Sequence, residues 1–139
     1  MSQESVDFVK GIMSASAGMD REATLAALPE LVPQLCDPDI EWVEAPQRAD
    51  GRTRRGHEGV IESMSQWLEQ WAEYRAEVER VVDCGDDVLV YARESGRGAS
   101  SGARVEARLY MVWTVRDGKL LRYREFYDEQ AARDAAGCP

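Results

Sequence analysis

The chain has 139 residues, 44% hydrophobic and 31% charged, with 17 basic against 26 acidic side chains and a formal net charge of -9. That is one domain's worth of chain, long enough to bury a core, and the composition excludes disorder and collagen-like repeats. The acidity repels phosphate backbones and anionic lipid, so no nucleic acid and no membrane is expected as a partner.

Residues 1–139 read as one domain without internal repeats. Lys10 and Lys119 are the only lysines, so almost every cation is an arginine, suited to planar paired contacts. The start, Met1-Ser2-Gln3-Glu4-Ser5, has neither a basic nor an apolar leader region, and no apolar run approaches the ~18 residues of a membrane span. Cys36, Cys84 and Cys138 are odd in number, form no C-x-x-C, and stand beside a single histidine. Neither a disulfide framework nor a Cys/His zinc site is expected. The reading is buried or idle thiols in a reducing cytoplasm.

Val6, Val9, Ile12 and Met13 predict a first helix over 4–17, stopped at Gly18. Asp20 caps a second, with Glu22 in its first turn and Leu25, Leu28, Leu31, Val32 and Leu35 at helical spacing; Pro29 and Pro33 predict that it kinks or breaks. Cys36-Asp37-Pro38-Asp39 reads as a breaker, residues 40–45 as a short strand, and 46–56 as a polar loop. The third helix puts Val60, Ile61, Met64, Trp67, Leu68 and Trp71 on one face. Strands follow at 75–82, 88–94, 105–115 and 119–127, with a flexible turn over 95–102 and a short helix at 129–136 ended by Gly137. Helices followed by an antiparallel meander make an α+β pattern.

The last hairpin fixes which side chains face inward. A two-residue loop at Asp117-Gly118 would mix Arg122 and Arg124 with Leu109, Met111 and Trp113. A three-residue loop over 116–118 instead sets Trp113 opposite Leu121 and Met111 opposite Tyr123. One face is then apolar: Ala107, Leu109, Met111, Trp113, Val115, Leu121, Tyr123 and Tyr127. A one-residue slip inverts every side chain, so the cleaner segregation selects the three-residue loop. It leaves Glu125 as the only carboxylate on the apolar face of these strands. Burial there raises a carboxyl's pKa and makes it a candidate acid/base group; the alternative is a rim position with an arginine partner.

Several motifs stand in an order that resembles a known family. They are the strand entry Asp37-Pro38-Asp39-Ile40-Glu41-Trp42, the helix start Arg55-Gly56-His57-Glu58-Gly59-Val60, the Gly96–Gly102 turn and the ending Val112-Trp113-Thr114-Val115-Arg116-Asp117-Gly118-Lys119. The chain is similar to SnoaL-like proteins of the nuclear-transport-factor-2-like superfamily, whose members include polyketide cyclases, ketosteroid isomerase, limonene-epoxide hydrolase and non-catalytic binders. The resemblance implies a cone: a strongly curved, mostly antiparallel sheet wrapped around N-terminal helices, with an internal apolar cavity and often a dimer across the outer sheet face. Tyr123-Arg124-Glu125-Phe126-Tyr127-Asp128 resembles the last strand of the hydrolases and cyclases, with Glu125 at their catalytic aspartate. The hydrolases' water-positioning Tyr and Asn fall at Trp42, which cannot accept a hydrogen bond, and Glu44. Their middle-strand Arg/Asp pair has no clear match, although Glu94 lies near one of its places. The isomerase base falls at Ala45 and its acidic partner near Met111, so steroid isomerisation by that route is not expected.

His57 at a helix start reads as surface or capping, and Arg52, Arg54 and Arg55 as a solvated loop. No G-x-S-x-G, Walker, Rossmann or H-E-x-x-H pattern occurs, so no cofactor and no metal is expected. Two functions stay open. One is a cofactor-independent enzyme using Glu125 for proton transfer on an apolar small molecule, as cyclase, isomerase, dehydratase or epoxide hydrolase. Trp42, Glu44, Met64, Trp67, Glu94, Leu109, Met111, Trp113, Tyr123 and Tyr127 would bind its substrate. The other is a non-catalytic binder with the same cavity. Tyr110, Val112 and Phe126 among Arg108, Arg122 and Arg124 on the outer face predict a homodimer.

Overall fold

The computed structural model describes residues 2–17, 19–48 and 51–138. Helix α1 (Ser2–Ala17) is followed by α2 (Arg21–Leu35), whose cap is the expected one: the Asp20 carboxylate accepts from the Ala23 N–H at 2.7 Å. The expected stop at Gly18 lies outside the described residues. Pro29 and Pro33 do not break α2. Both lie on its exposed side. Cys36-Asp37-Pro38-Asp39 is not a breaker either, because β1 runs Cys36–Val43 and absorbs the proline through a register shift against its neighbour.

Inside the presumed polar loop lies β2 (Thr53–Arg55), which pairs with β1. Helix α3 (Gly56–Glu69) starts as expected, but Trp71 belongs to the next strand, not to the helix. The meander is β3 (Trp71–Asp83), β4 (Asp87–Gly98), β5 (Arg104–Arg116) and β6 (Lys119–Phe126). Residues 95–98, expected in a flexible turn, are paired strand. The chain ends in α4 (Glu129–Ala136), capped by Asp128 and stopped by Gly137 at φ 71°. The architecture is the expected α+β one: a curved, unclosed six-stranded sheet in the order β2-β1-β6-β5-β4-β3, antiparallel except between β1 and β6.

The last hairpin reaches the expected faces by a different route. Asp117 and Gly118 both have positive φ, Arg116 pairs with Lys119, and the turn is the two-residue one. A bulge at Leu121 then moves the register by one, so Trp113 faces Tyr123 and Met111 faces Glu125. The segregation of faces holds; the three-residue loop does not, and Leu120 replaces Leu121 in the core.

Helices α1, α2 and α3 fill the concave face. Val6, Val9, Leu28, Val32 and Val60 pack on Val88, Val90, Leu109, Met111, Trp113, Leu120 and Tyr123. Each such side chain contributes about 1.5–3 kcal/mol when fully buried. The convex face has its own small core, in which Ala132 and Ala136 of α4 cover Leu89, Tyr91, Tyr110 and Val112. Tyr110 and Val112, expected at a dimer interface, are thus buried under their own chain; Arg108 and Arg122 remain exposed. The cysteine reading is also corrected. Cys84, beyond the end of β3, is disulfide-bonded to Cys138, beyond α4, and only Cys36 is a buried free thiol. Burial pushes that thiol up to about 11, so it is inert as a nucleophile.

Candidate active site

Strand alternation sends Val88, Val90, Ala92 and Glu94 of β4 inward, and Tyr123 and Glu125 of β6 inward on the far side of β5. Two carboxylates therefore hang over one apolar surface. Glu94 is 5% exposed and Glu125 6%. Such charges need a cation, and it comes from the 46–52 segment. The Arg48 N–H bonds the Ala45 carbonyl at 3.0 Å, which turns the chain back and carries the Arg48 side chain under the sheet. Its Nη2 lies 3.2 Å from Glu94 Oε2 and its Nε 3.4 Å from Glu125 Oε1.

Three tyrosines and a backbone group complete the cluster. Glu125 accepts from the Tyr123 hydroxyl at 2.8 Å and from the Ala45 N–H at 3.3 Å. Glu94 accepts from the hydroxyls of Tyr74, at 2.5 Å, and Tyr127. The Arg48 Nε also donates to the Tyr127 hydroxyl at 3.2 Å, and its guanidinium stacks 3.6 Å from the centre of the Trp67 ring. Trp67, Trp71 and Tyr74 pack on one another with ring centres 5.3–5.8 Å apart. Gly96 permits this: a Cβ there would stand 2.7 Å from the Trp71 ring.

The electrostatics follow from burial. Desolvation pushes the Glu125 carboxyl above its ordinary value; Arg48, the Tyr123 hydroxyl and the Ala45 N–H pull it back without cancelling the rise, and Glu94 adds to it. Burial works against the charged Arg48, but Glu125, the tyrosines and Glu94 outweigh it, so the guanidinium stays protonated. Desolvation together with the adjacent carboxylates raises Tyr74, Tyr123 and Tyr127, which remain neutral donors.

Beside this cluster lies a second one. Arg54, expected in a solvated loop, is 7% exposed. It bonds Glu62 and, at 2.7 Å, Gln66, with Glu44 3.6 Å from its Nε; Glu44 also accepts from the Ser63 hydroxyl. A cleft of about 330 Å³ opens between the clusters, lined by Glu44, Arg48, Arg52, Arg54, Ser63, Gln66, Trp67 and Gln70. The concavity at the site is thus a polar-walled cleft.

The expected site residues divide accordingly. Glu94, Glu125, Tyr123, Tyr127 and Trp67 meet around Arg48. Glu44 lies on the far wall of the cleft. Leu109, Met111 and Trp113 are core beneath the cluster, Met64 packs against that core, and Trp42 stacks on Tyr123 with ring centres 3.9 Å apart. His57 ties α3 to β1 through the Cys36 carbonyl at 2.9 Å. Arg48 and Tyr74 escaped the sequence reading. Two inward carboxylates on nearby strands were the available signal, since they require an arginine in a chain with two lysines. Among the described residues no group of three or more His, Cys, Asp or Glu could hold a metal. No helix among them is long and apolar enough to cross a membrane.

The profile of the SnoaL-like domain matches residues 21–123. The chain belongs to the SnoaL-like family. Its solved neighbours agree on the fold. A putative SnoaL-like polyketide cyclase from Jannaschia sp. CCS1 is 21% identical over 99% of this chain and 94% of its own, with a TM-score of 0.70. A protein of ketosteroid isomerase-like fold from Catenulispora acidiphila, solved with trimethylamine, is 16% identical over 95% and 93%, with a TM-score of 0.67. TerC, co-crystallised with polyporic acid, is 25% identical over 83% and 95%, with a TM-score of 0.59. No curated protein matches the chain significantly.

Proposed function

We propose that this SnoaL-like chain is a cofactor-independent enzyme that moves a proton on a small molecule, with Glu125 as general acid/base. Glu125 itself carries the reading. Its carboxyl is buried, its protonated form is favoured by desolvation, and three donors surround it that accommodate the carboxylate once the proton has left. A group balanced in this way can give a proton to a substrate oxygen and take one back from carbon or water. Arg48 and Tyr123 would hold the charge left on Glu125. Glu94, with Tyr74 and Tyr127, would keep Arg48 in place. The cleft, which Arg48 and Trp67 line, would receive the substrate. Its walls favour a substrate with an apolar body to lie against Trp67 and hydrogen-bond acceptors to meet Arg52, Arg54, Gln66 and Gln70. Cyclisation, isomerisation, dehydration and epoxide hydrolysis all fit one such proton transfer. The small ligands named for the Catenulispora protein and TerC support a concavity that receives small molecules.

One observation favours a non-catalytic binder instead. Both oxygens of Glu94 and of Glu125 already accept hydrogen bonds or ion pairs within the protein. The two readings separate in one experiment. Native mass spectrometry of freshly purified protein identifies a retained molecule, and NMR then follows its conversion. Glu125→Gln is expected to lower turnover by ~10²-fold or more while ligand affinity stays within a few-fold. A wild-type protein that holds the molecule without converting it, or a Glu125→Gln variant of near wild-type turnover, defeats the enzyme reading.

A further inference from the structure

The cleft beside the Glu125 cluster restricts the chemistry of what can enter it. Arg48, Arg52 and Arg54 stand in its walls with a single carboxylate, Glu44, in a chain whose formal net charge is -9. That carboxylate is already engaged. Glu44 accepts from the Arg52 N–H at 3.1 Å and from the Ser63 hydroxyl, and Arg54 Nε lies 3.6 Å from it. The Glu62 side chain, the other anion on Arg54, is 59% exposed, so solvent screens it. Donors, by contrast, remain open. Arg48 commits Nη2 to Glu94 and Nε to Tyr127 and Glu125. Its Nη1 has no partner among the described residues and, unlike Arg54 Nε, is not shut away from solvent. Elementary chemistry orients the Gln66 amide. A guanidinium only donates, so the 2.7 Å bond from Arg54 Nη2 fixes the amide oxygen on Arg54 and leaves the NH2 group of an exposed side chain to face elsewhere.

We infer that the cleft selects a small molecule bearing a carboxylate, which Arg48 Nη1 and the Gln66 amide N–H groups bind while its apolar body lies against Trp67. This rests on the reading of the cleft as the place of the substrate, and it narrows that substrate to a class. A charge-assisted bond from a guanidinium is about twice as strong as a bond to a neutral acceptor, so an amide or ester in the same position gains less. Guanidinium and amide donors match a planar, singly charged acceptor. A phosphate monoester carries more negative charge, and Glu44 in the same cleft opposes it. The anchor also orders the chemistry. Arg48 Nε lies 3.4 Å from Glu125, so a carboxylate on the same guanidinium sets the atoms next to it beside the acid/base group. The volume of about 330 Å³ is at the small end for ligand sites and admits one compact molecule.

NMR titration of the full chain with benzoate, benzamide and phenyl phosphate tests the selection, with the Trp67 indole N–H as the reporter of the cleft. Benzoate is expected to bind about tenfold or more tighter than its neutral isostere benzamide, and tighter than phenyl phosphate. Gln66→Glu keeps an acceptor for Arg54 and replaces the amide donor with a second negative charge; it should weaken benzoate by about tenfold and leave benzamide within a few-fold. Gln66 is exposed, so this variant is expected to fold. Glu125→Gln should keep the preference for benzoate, which separates this inference from the enzyme reading. Carboxylate selection without turnover would defeat that reading alone, and turnover without carboxylate selection would defeat this inference alone. Benzoate that fails to bind, binds no tighter than benzamide or phenyl phosphate, or binds Gln66→Glu as well as wild type overturns the proposal.

Discussion

Arg48 and Arg54 lie six residues apart on one polar segment, and both turn inward to bind carboxylates, yet they occupy different environments. The carboxylate side chains that pair with Arg48 are both 7% exposed; those that pair with Arg54 are 12% and 59% exposed. Arg48 lies against Trp67 and Tyr127 inside the sheet's curve, whereas Arg54 bridges β2 to the solvent edge of α3. The same ion-pair chemistry is therefore costly to disrupt in one place and forgiving in the other. It also underlies the proposed assignment of the site. Where water is excluded, charge is poised and a proton can be exchanged; at the rim, the pair mostly fastens two elements together.

Removing each arginine in turn breaks this comparison if it is wrong. Arg48→Met leaves two buried carboxylates without their cation and is expected to cost about 3–5 kcal/mol in urea unfolding at neutral pH. Part of that loss should return on acidification, as the carboxylates take up protons. Arg54→Met leaves Glu62 in solvent, and Glu44 keeps the Ser63 hydroxyl and the Arg52 N–H. Its expected cost is about 1–2 kcal/mol. Equal losses from the two variants would mean that burial of the partners does not distinguish the clusters.

Much of this arrangement was legible in the residues. Asp20 and Gly137 mark helix ends that local chemistry fixes, because cap geometry depends on neighbours in sequence, whereas the turn at Asp117-Gly118 was placed correctly but read one residue too long. The inward placement of Glu125 followed from parity, which survives an error in loop length so long as something else shifts the register by one. The bulge at Leu121 does that, and nothing in Lys119-Leu120-Leu121-Arg122 signals it. Arg48 was illegible for a different reason. Pro46, Gln47 and Arg48 look like ordinary surface chain, and the partners Glu94 and Glu125 lie 46 and 77 residues further on, brought together only by the sheet. The Cys84–Cys138 pair was hidden in the same way. An odd cysteine count argues against a framework of bridges but not against one bridge that forms when α4 folds back across the convex face.

The smallest expected effect sharpens the comparison most directly, because it isolates one proton. Glu125 has a folded-state pKa above its ordinary value, chiefly through desolvation. The folded protein therefore binds this proton more tightly than the unfolded chain does, and by linkage stability falls as pH rises from the ordinary carboxyl value through the raised one. Other carboxylates oppose this trend, so the wild-type curve alone does not show it. The difference between wild type and Glu125→Gln does. Glutamine keeps the shape and cannot ionise, although its amide loses the ion pair with Arg48. Wild type should therefore lose stability relative to Glu125→Gln as pH rises above about 4.5, and the difference should level off once Glu125 is fully ionised. Thermal unfolding of both proteins across pH 4 to 8 measures it. A difference that is flat, or that grows in favour of wild type with rising pH, would mean that the Arg48 pair balances or outweighs desolvation and that the Glu125 carboxyl is not raised.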